Sequence, residues 1–252
     1  MNDYRNQRYN QQQQSQHEWP VRADGEWGVL EPTTAAHVDV AERMSFVRKV
    51  YALFFAGILF AVGGVYLGIS NPEAVMMPII NHPYITFFVM IGAVLGAQAL
   101  RHVPVVNVVA LFAFTTLTGA IISPLIALYT QLNPASILQA GVLTVGIFGG
   151  LTAYVFVSKR DFSFMRGMLM TGLIVVVLAG VLNLFVVGSS ALSFGISAAA
   201  LLVFSGYVLY DTSNIIRRYP TNEYIAGALD LYLDAFNIFL ALLRLLNAGG
   251  RD

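Results

Sequence analysis

Three aspartates interrupt the apolar carboxyl-terminal part of the chain, in the stretch GYVLYDTSNIIRRYPTNEYIAGALDLYLDAF. Asp211 lies near the end of one apolar segment, and Asp230 and Asp234 lie in the next, after a short basic turn. Residues four apart share one face of a helix, so Asp230 and Asp234 point the same way. A carboxylate inside a membrane costs about 2.5–3.5 kcal/mol on insertion scales and usually marks an ion or proton pathway. The spacing therefore predicts a buried ionisable cluster.

The composition indicates that these segments lie in a membrane. Hydrophobic residues make up 57% of the 252 residues and charged residues only 11%, which is far from the composition of a soluble domain. The formal net charge is zero, which argues against a nucleic-acid partner because phosphate binding needs a basic surface. The absence of cysteine excludes disulfides, thiolate chemistry and cysteine-ligated metals. No resident cofactor is predicted.

The sequence predicts an all-α membrane protein, a seven-transmembrane-helix bundle at residues 45–247. A bilayer core needs about 20 apolar residues per helix. Residues 1–44 are predicted to be a disordered, Gln-rich cytoplasmic tail, and residues 248–252 a short carboxyl-terminal tail. The seventh span has three readings: a full crossing, a re-entrant segment, or an amphipathic helix in the interface with its aspartates in water. The expected spans are 50–69, 80–100, 105–129, 136–157, 165–187, 191–213 and 224–246.

The positive charges of the connections predict the orientation. Cytoplasmic connections carry an excess of Lys and Arg, and here the alternate connections 70–79, 130–135 and 188–190 contain neither residue. The amino terminus is therefore expected in the cytoplasm. The basic residues of the tail and the remaining connections are Arg5, Arg8, Arg22, Arg43, Arg48, Lys49, Arg101, Lys159, Arg160, Arg166, Arg217 and Arg218.

Antiparallel packing of the sixth and seventh helices would let Asp211 meet Asp230 or Asp234 in the inner half of the bilayer. Two carboxylates in contact at low dielectric cannot cheaply both ionise, so such a pair shares a proton and acts as a proton switch. Arg101 stands at the cytoplasmic end of the second helix, either as the cationic partner of the cluster or as a topology marker only. Carboxylate oxygens also suit Ca²⁺, and so few of them favour a leak over a tight site.

Small residues at four-residue spacing allow close helix approach, either within the bundle or across a homodimer face. The chain is accordingly expected to be a monomer or a homodimer. The glycine pairs are Gly64 with Gly68, Gly92 with Gly96, and Gly146 with Gly150.

Two other classes of membrane protein fit poorly. An intramembrane aspartyl protease has a Gly-x-Gly-Asp motif, whereas Leu231, Tyr232 and Leu233 precede Asp234. A retinal protein needs a lysine in the seventh helix, and this helix has none. The chain is therefore not expected to be an enzyme.

The motifs VLYDTSNII and ALDLYLDAFNIFLALLRLL resemble the signature of the Bax inhibitor-1 family, also called the transmembrane Bax-inhibitor-motif family. The resemblance extends over residues 45–247. It implies a pH-sensitive calcium leak gated by a hydrogen-bonded aspartate pair. By motif position the pair is Asp211 with Asp234, which would also be the weak Ca²⁺ site, and the family's second-helix arginine is Arg101. Asp230 is an accessory carboxylate beside the pair.

The segment RDFSFMRGMLMTGLIVVVLAGVLNLF resembles the bacterial branch that includes a modulator of the FtsH membrane protease. This resemblance implies a multi-pass protein of the bacterial cytoplasmic (inner) membrane. Its expected partners are the lipid bilayer, protons, Ca²⁺ and an FtsH-type protease. The alternative function is a non-transporting regulator of such a membrane protein, with the Gln-rich tail as the binding segment.

Overall fold

The computed structural model describes residues 39–103 and 105–248, and within these ranges seven helices are long and apolar enough to cross a membrane. The predicted all-α architecture is confirmed. Residues 1–38 and 249–252, which hold most of the predicted tails, lie outside the described ranges. The helices are α1 (Val40–Ser70), α2 (Pro83–Leu100), α3 (Val106–Leu132), α4 (Pro134–Ser158), α5 (Arg166–Leu182), α6 (Ser190–Arg217) and α7 (Tyr224–Ala248).

Short helical segments fill three of the connections. A π-helical turn, Pro72–Met76, and a short α-helix, Met77–Asn81, join α1 to α2. A 3₁₀ turn, Ser163–Met165, leads into α5, and a π-helical turn, Asn183–Val187, extends α5 to its predicted end.

Local sequence signals mark where the helices begin and end. Pro83 and Pro134 occupy first turns, where the missing amide hydrogen costs nothing. Lys159 ends α4 in the left-handed conformation with φ 51°. Gly188 adopts φ 61° before α6, and the Ser189 hydroxyl then caps the helix by accepting from the Leu192 amide at 3.3 Å. These caps hold the ends of α4 and α6 at defined positions.

The predicted boundary between the tail and the membrane domain, after residue 44, is wrong. Helix α1 begins at Val40, where the Asp39 side chain accepts a hydrogen bond from the Val40 amide at 2.8 Å. Residues 40–44 are therefore helical. Thirty-one residues make α1 about 46 Å long, roughly 15 Å more than the hydrocarbon core.

Helix α7 is the centre of the bundle. It packs against α6, α4, α1 and α3, and it is one continuous helix of 25 residues, about 37 Å long. Asp234 is 3% exposed and Leu231 is fully buried. The readings of α7 as a re-entrant segment or an interfacial helix are therefore wrong. Because α7 is apolar on most of its circumference, only the middle of the bundle can bury it.

The outer helices present apolar side chains outward, as lipid contact requires. Large hydrophobic residues such as Leu59, Val145 and Leu202 are more than 70% exposed. Helix α2 has one buried residue, Ala97, and packs mainly against α3. Helix α5 packs against α6 and buries Leu169. The periphery is thus held much more loosely than the centre.

Glycine brings α1 and α3 into backbone contact. A Cβ atom at Gly119 would overlap the Ala61 carbonyl oxygen, and one at Gly64 would overlap the Thr116 carbonyl oxygen. A Cβ at Gly68 would meet the Ser123 side chain in the same interface. The other glycine pairs, Gly92 with Gly96 and Gly146 with Gly150, have open space where a Cβ would lie, so a homodimer face stays a prediction.

We expect Gly119→Ala to destabilise the bundle because the new methyl group must push the α1 backbone away. Overpacking typically lowers the free energy of unfolding by about 1–3 kcal/mol, and here backbone rather than a flexible side chain must move. The matched variant Gly146→Ala faces open space and should leave stability nearly unchanged. Thermal unfolding in detergent measures both, and equal melting temperatures would contradict the α1–α3 contact.

Candidate functional site

Asp211 and Asp234 lie inside the bundle, near the end where most of the basic residues lie, which we call the basic end. Asp211 is six residues before the end of α6, about 9 Å along its axis, and Asp234 is ten residues into α7, about 15 Å. They are 9% and 3% exposed. The structure therefore places both carboxyl groups away from water, on neighbouring helices.

The two carboxyl groups are close enough to interact with each other. The side chain of Asn214, one turn further along α6, approaches the Asp211 carboxyl. Among the described residues, Asp234 Oδ2 has no hydrogen-bond partner. Since an ionised carboxylate only accepts hydrogen bonds, a bond between two carboxyls requires that one be protonated. Two interacting carboxyl groups removed from water are able to share one proton.

Asp230 lies one turn closer to the basic end and has its own partners. Its Oδ2 accepts a hydrogen bond from the Tyr219 hydroxyl, and its Oδ1 accepts from Gln98 Nε2 at 3.4 Å. Burial raises the pKa of Tyr219, in the turn between α6 and α7, and the neighbouring Asp230 carboxylate adds to this effect. Tyr219 therefore stays protonated and remains a donor. Its hydrogen bond ties the turn to α7.

Arg101 reaches the cluster through an intermediary. Its Nη1 donates to Gln98 Oε1 at 2.9 Å, and Gln98 in turn donates to Asp230. Within residues 39–103 and 105–248, Arg101 forms no direct ion pair with any of the three aspartates. The guanidinium lies close enough to Asp230 to interact electrostatically. The structure thus brings Arg101 to Asp230 and not to the Asp211–Asp234 pair.

A second contact joins the end of α2 to the residue before α7. His102, beside Arg101, lies 3.4 Å from the Glu223 carboxylate just before α7. Both side chains are partly exposed, so the attraction is weak and depends on protonation of the imidazole. Together with the Arg101–Gln98–Asp230 chain, it links the end of α2 to the beginning of α7.

The sequence reasoning missed Gln98 and Tyr219. A signal for Gln98 exists, because a residue three positions before Arg101 lies on the same face of α2. Tyr219 carries no comparable signal. Its contact with Asp230 depends on the shape of the α6–α7 turn, which packs the ring back against α7.

The capacity of the site to hold a metal ion is small. The described part of the chain contains no group of three or more His, Asp or Glu side chains arranged to hold a metal. Asp211 and Asp234 could together offer four carboxylate oxygens once deprotonated, and Ca²⁺ takes 6–8 oxygen ligands. A calcium ion here would rely on water for the rest of its coordination.

Known proteins match this chain over nearly all of its described residues. A family model described as inhibitor of apoptosis-promoting Bax1 matches residues 43–251. A Vibrio cholerae protein described as an uncharacterized membrane protein is 40% identical over 188 residues, 74% of this chain and 79% of its own length. Bax inhibitor 1 of Schizosaccharomyces pombe is 34% identical over 85% of this chain and 80% of its own. Protein lifeguard 4 of Mus musculus is 31% identical over 90% and 93%.

The matched region contains the three aspartates and all seven membrane helices except the first three residues of α1. The likeness covers most of the length of each relative, so it concerns the whole bundle and not one motif. The chain is an integral membrane protein that belongs to the Bax inhibitor-1 family.

Proposed function

We propose that this protein is a pH-sensitive calcium leak whose gate is the Asp211–Asp234 pair. The observation that carries the proposal is the burial of two carboxyl groups that lie on neighbouring helices packed together and interact with each other. Buried carboxylates in membrane helices are costly and by default serve ion or proton movement. A purely structural role is better served by apolar side chains.

The shared proton holds α6 and α7 together in the closed state. With the proton present, the pair is a hydrogen bond between helices in an environment of low dielectric. When the proton leaves, two like charges face each other, and they either separate or recruit a cation. Because Asp234 is only 3% exposed, an ion reaches it only after neighbouring helices move apart.

Helix α2 is suited to make that movement, because it is loosely packed and also connected to the cluster. It has a single buried residue, and elements with few buried contacts open most easily. Its basic end is tied to α7 by the Arg101–Gln98–Asp230 chain and by the His102–Glu223 contact. Charge that develops on the Asp211–Asp234 pair acts electrostatically on Asp230, so α2 responds to deprotonation of the pair through the first tie.

The basic end is proposed to face the cytoplasm of a bacterial inner membrane. This orientation follows from the charge bias of the loops, and the bacterial setting from the resemblance of the α5 segment to bacterial members. A reporter fused after Ser70 should lie outside the cytoplasm, and one fused after Lys159 inside. Paired phosphatase and fluorescent-protein fusions measure this. The opposite pattern would invert the placement of the aspartates.

Neutralising the pair should abolish the pH response of calcium flux. Asp211→Asn and Asp234→Asn keep the shape but remove the ionisation, so we expect flux through each variant to vary less than about twofold between mildly acidic and mildly alkaline pH. The double variant should resemble either single one, because coupled groups act as a unit. Purified protein in calcium-indicator liposomes provides the measurement.

Asp230→Asn is the matched control for this experiment, since it removes a carboxylate one turn away on the same helix face. It should alter the pH profile less than either member of the pair. Normal pH profiles in both single variants, or independent addition in the double variant, would contradict the shared proton. Absence of flux from intact protein would leave the alternative, a non-transporting regulator of a membrane protein such as an FtsH-type protease.

Replacing Arg101 tests the link between α2 and the cluster. Arg101→Gln removes a cation near Asp230, which disfavours the charged carboxylate form, so we expect the pH midpoint of flux to rise by about 0.5–1 unit. Arg160→Gln removes an equal charge from the same end of the bundle at an exposed site away from the cluster and should leave the midpoint in place. Equal midpoints in all three proteins would reduce Arg101 to a determinant of topology.

A further inference from the structure

A groove at the basic end opens between α1, α4 and α6, apart from the aspartate cluster. Its volume is about 660 Å³. One part of its lining is cationic and the other is apolar, including Met44 of α1 and Phe156 of α4. The cationic residues are Arg43, Arg48, Lys159 and Arg217.

The described lining of the groove contains four cationic residues and no acidic one. Within the described ranges, no carboxylate forms an ion pair with any of its four cationic residues. The two acids nearest in sequence have other partners: Asp161 pairs with Arg218 at 2.7 Å, and Glu42 accepts from the Thr221 hydroxyl at 3.0 Å. The groove therefore presents a concentrated positive field that attracts an anion.

Backbone geometry fixes the position of Arg217 and of the Lys159 backbone. Arg217 Nη2 donates to the Lys159 carbonyl oxygen, which joins the last turn of α6 to the end of α4. Lys159 itself stands in the left-handed conformation that ends α4. Both residues therefore lie where the end of α4 meets the last turn of α6. The Arg217 guanidinium has further N–H donors that take no part in this bond.

The apolar part of the groove is exposed in a way that suits a hydrocarbon chain. Met44 is 57% exposed and Phe156 is 42% exposed, while Val155 behind them is buried at 2%. The exposed pair lies beside the cations, so a ligand that fills the groove must be anionic at one end and apolar at the other.

The depth of the groove matches the level of lipid headgroups. Helix α1 exceeds the hydrocarbon core by about 15 Å, and the groove residues Arg43 and Arg48 lie in its first ten residues. On the α4 side the groove ends at Lys159, directly after the last residue of the helix. Basic pockets between membrane helices at this level bind anionic headgroups.

From this charge complementarity we infer that the groove is a binding site for one anionic phospholipid. Its phosphate lies among Arg43, Arg48 and Lys159, and one acyl chain lies along Met44 and Phe156. This site is separate from the aspartate cluster, and the inference does not depend on calcium transport. The bound lipid would hold α1 against α4 and α6 at the basic end.

The test measures binding of dioleoyl phosphatidylglycerol to the purified full-length protein in detergent, by native mass spectrometry. Dioleoyl phosphatidylcholine and inorganic phosphate serve as comparison probes. We expect saturable binding of the anionic lipid and at least about tenfold weaker binding in Arg43→Gln/Arg48→Gln, since each cation near the surface contributes several-fold. The lipid should also raise the melting temperature of the wild-type protein.

The matched control is Arg160→Gln/Arg166→Gln, which removes the same charge from exposed positions at the basic end outside the groove. It should bind the lipid within about twofold of the wild type. Equal losses in the two double variants, or no loss in either, would overturn the site. Inorganic phosphate that displaces the lipid and itself raises the melting temperature would overturn the lipid assignment.

A measurement on the wild-type protein avoids any dependence on variant folding. Phosphatidylglycerol that carries a photoreactive group on one acyl chain should label peptides containing Met44 and Phe156. Labelling spread over the exposed faces of α2 and α5, without preference for these two peptides, would contradict the inference.

Discussion

The contact between two carboxyl groups in the middle of the bundle constrains everything around it. A carboxyl–carboxyl hydrogen bond survives only where water is excluded and where one proton is retained. Exclusion of water requires α7 to be enclosed by α6, α4, α1 and α3. An apolar helix that carries aspartates is stable in a bilayer only in that central position. The central position of α7 in the bundle thus follows from the need to bury Asp234.

The two aspartates of α7 lie one turn apart and differ in their hydrogen-bond partners. Nearer the basic end, Asp230 is fully engaged by Tyr219 and Gln98, whereas Asp234 Oδ2 has no hydrogen-bond partner among the described residues. A buried acceptor without a donor is costly. Neighbouring donors therefore satisfy Asp230 better than Asp234.

The sequence alone could predict the seven helices, because a long apolar run between prolines and charges permits little else in a bilayer. It could also predict that Asp211 meets the aspartates of α7, because adjoining helices with a short turn pack antiparallel. It could not predict that Arg101 acts through Gln98, since this depends on the rotation of α2 against its neighbours. Nor did it locate the beginning of α1, because residues 40–44 are amphipathic and lack the uniform apolarity of the span.

The glycine contact between α1 and α3 has a mechanical consequence. Where two backbones touch with no side chains between them, neither helix can rotate or slide without breaking many contacts at once. The two helices therefore move as one rigid unit. A ligand that holds the projecting end of α1 would thus restrict the movement of α3 as well.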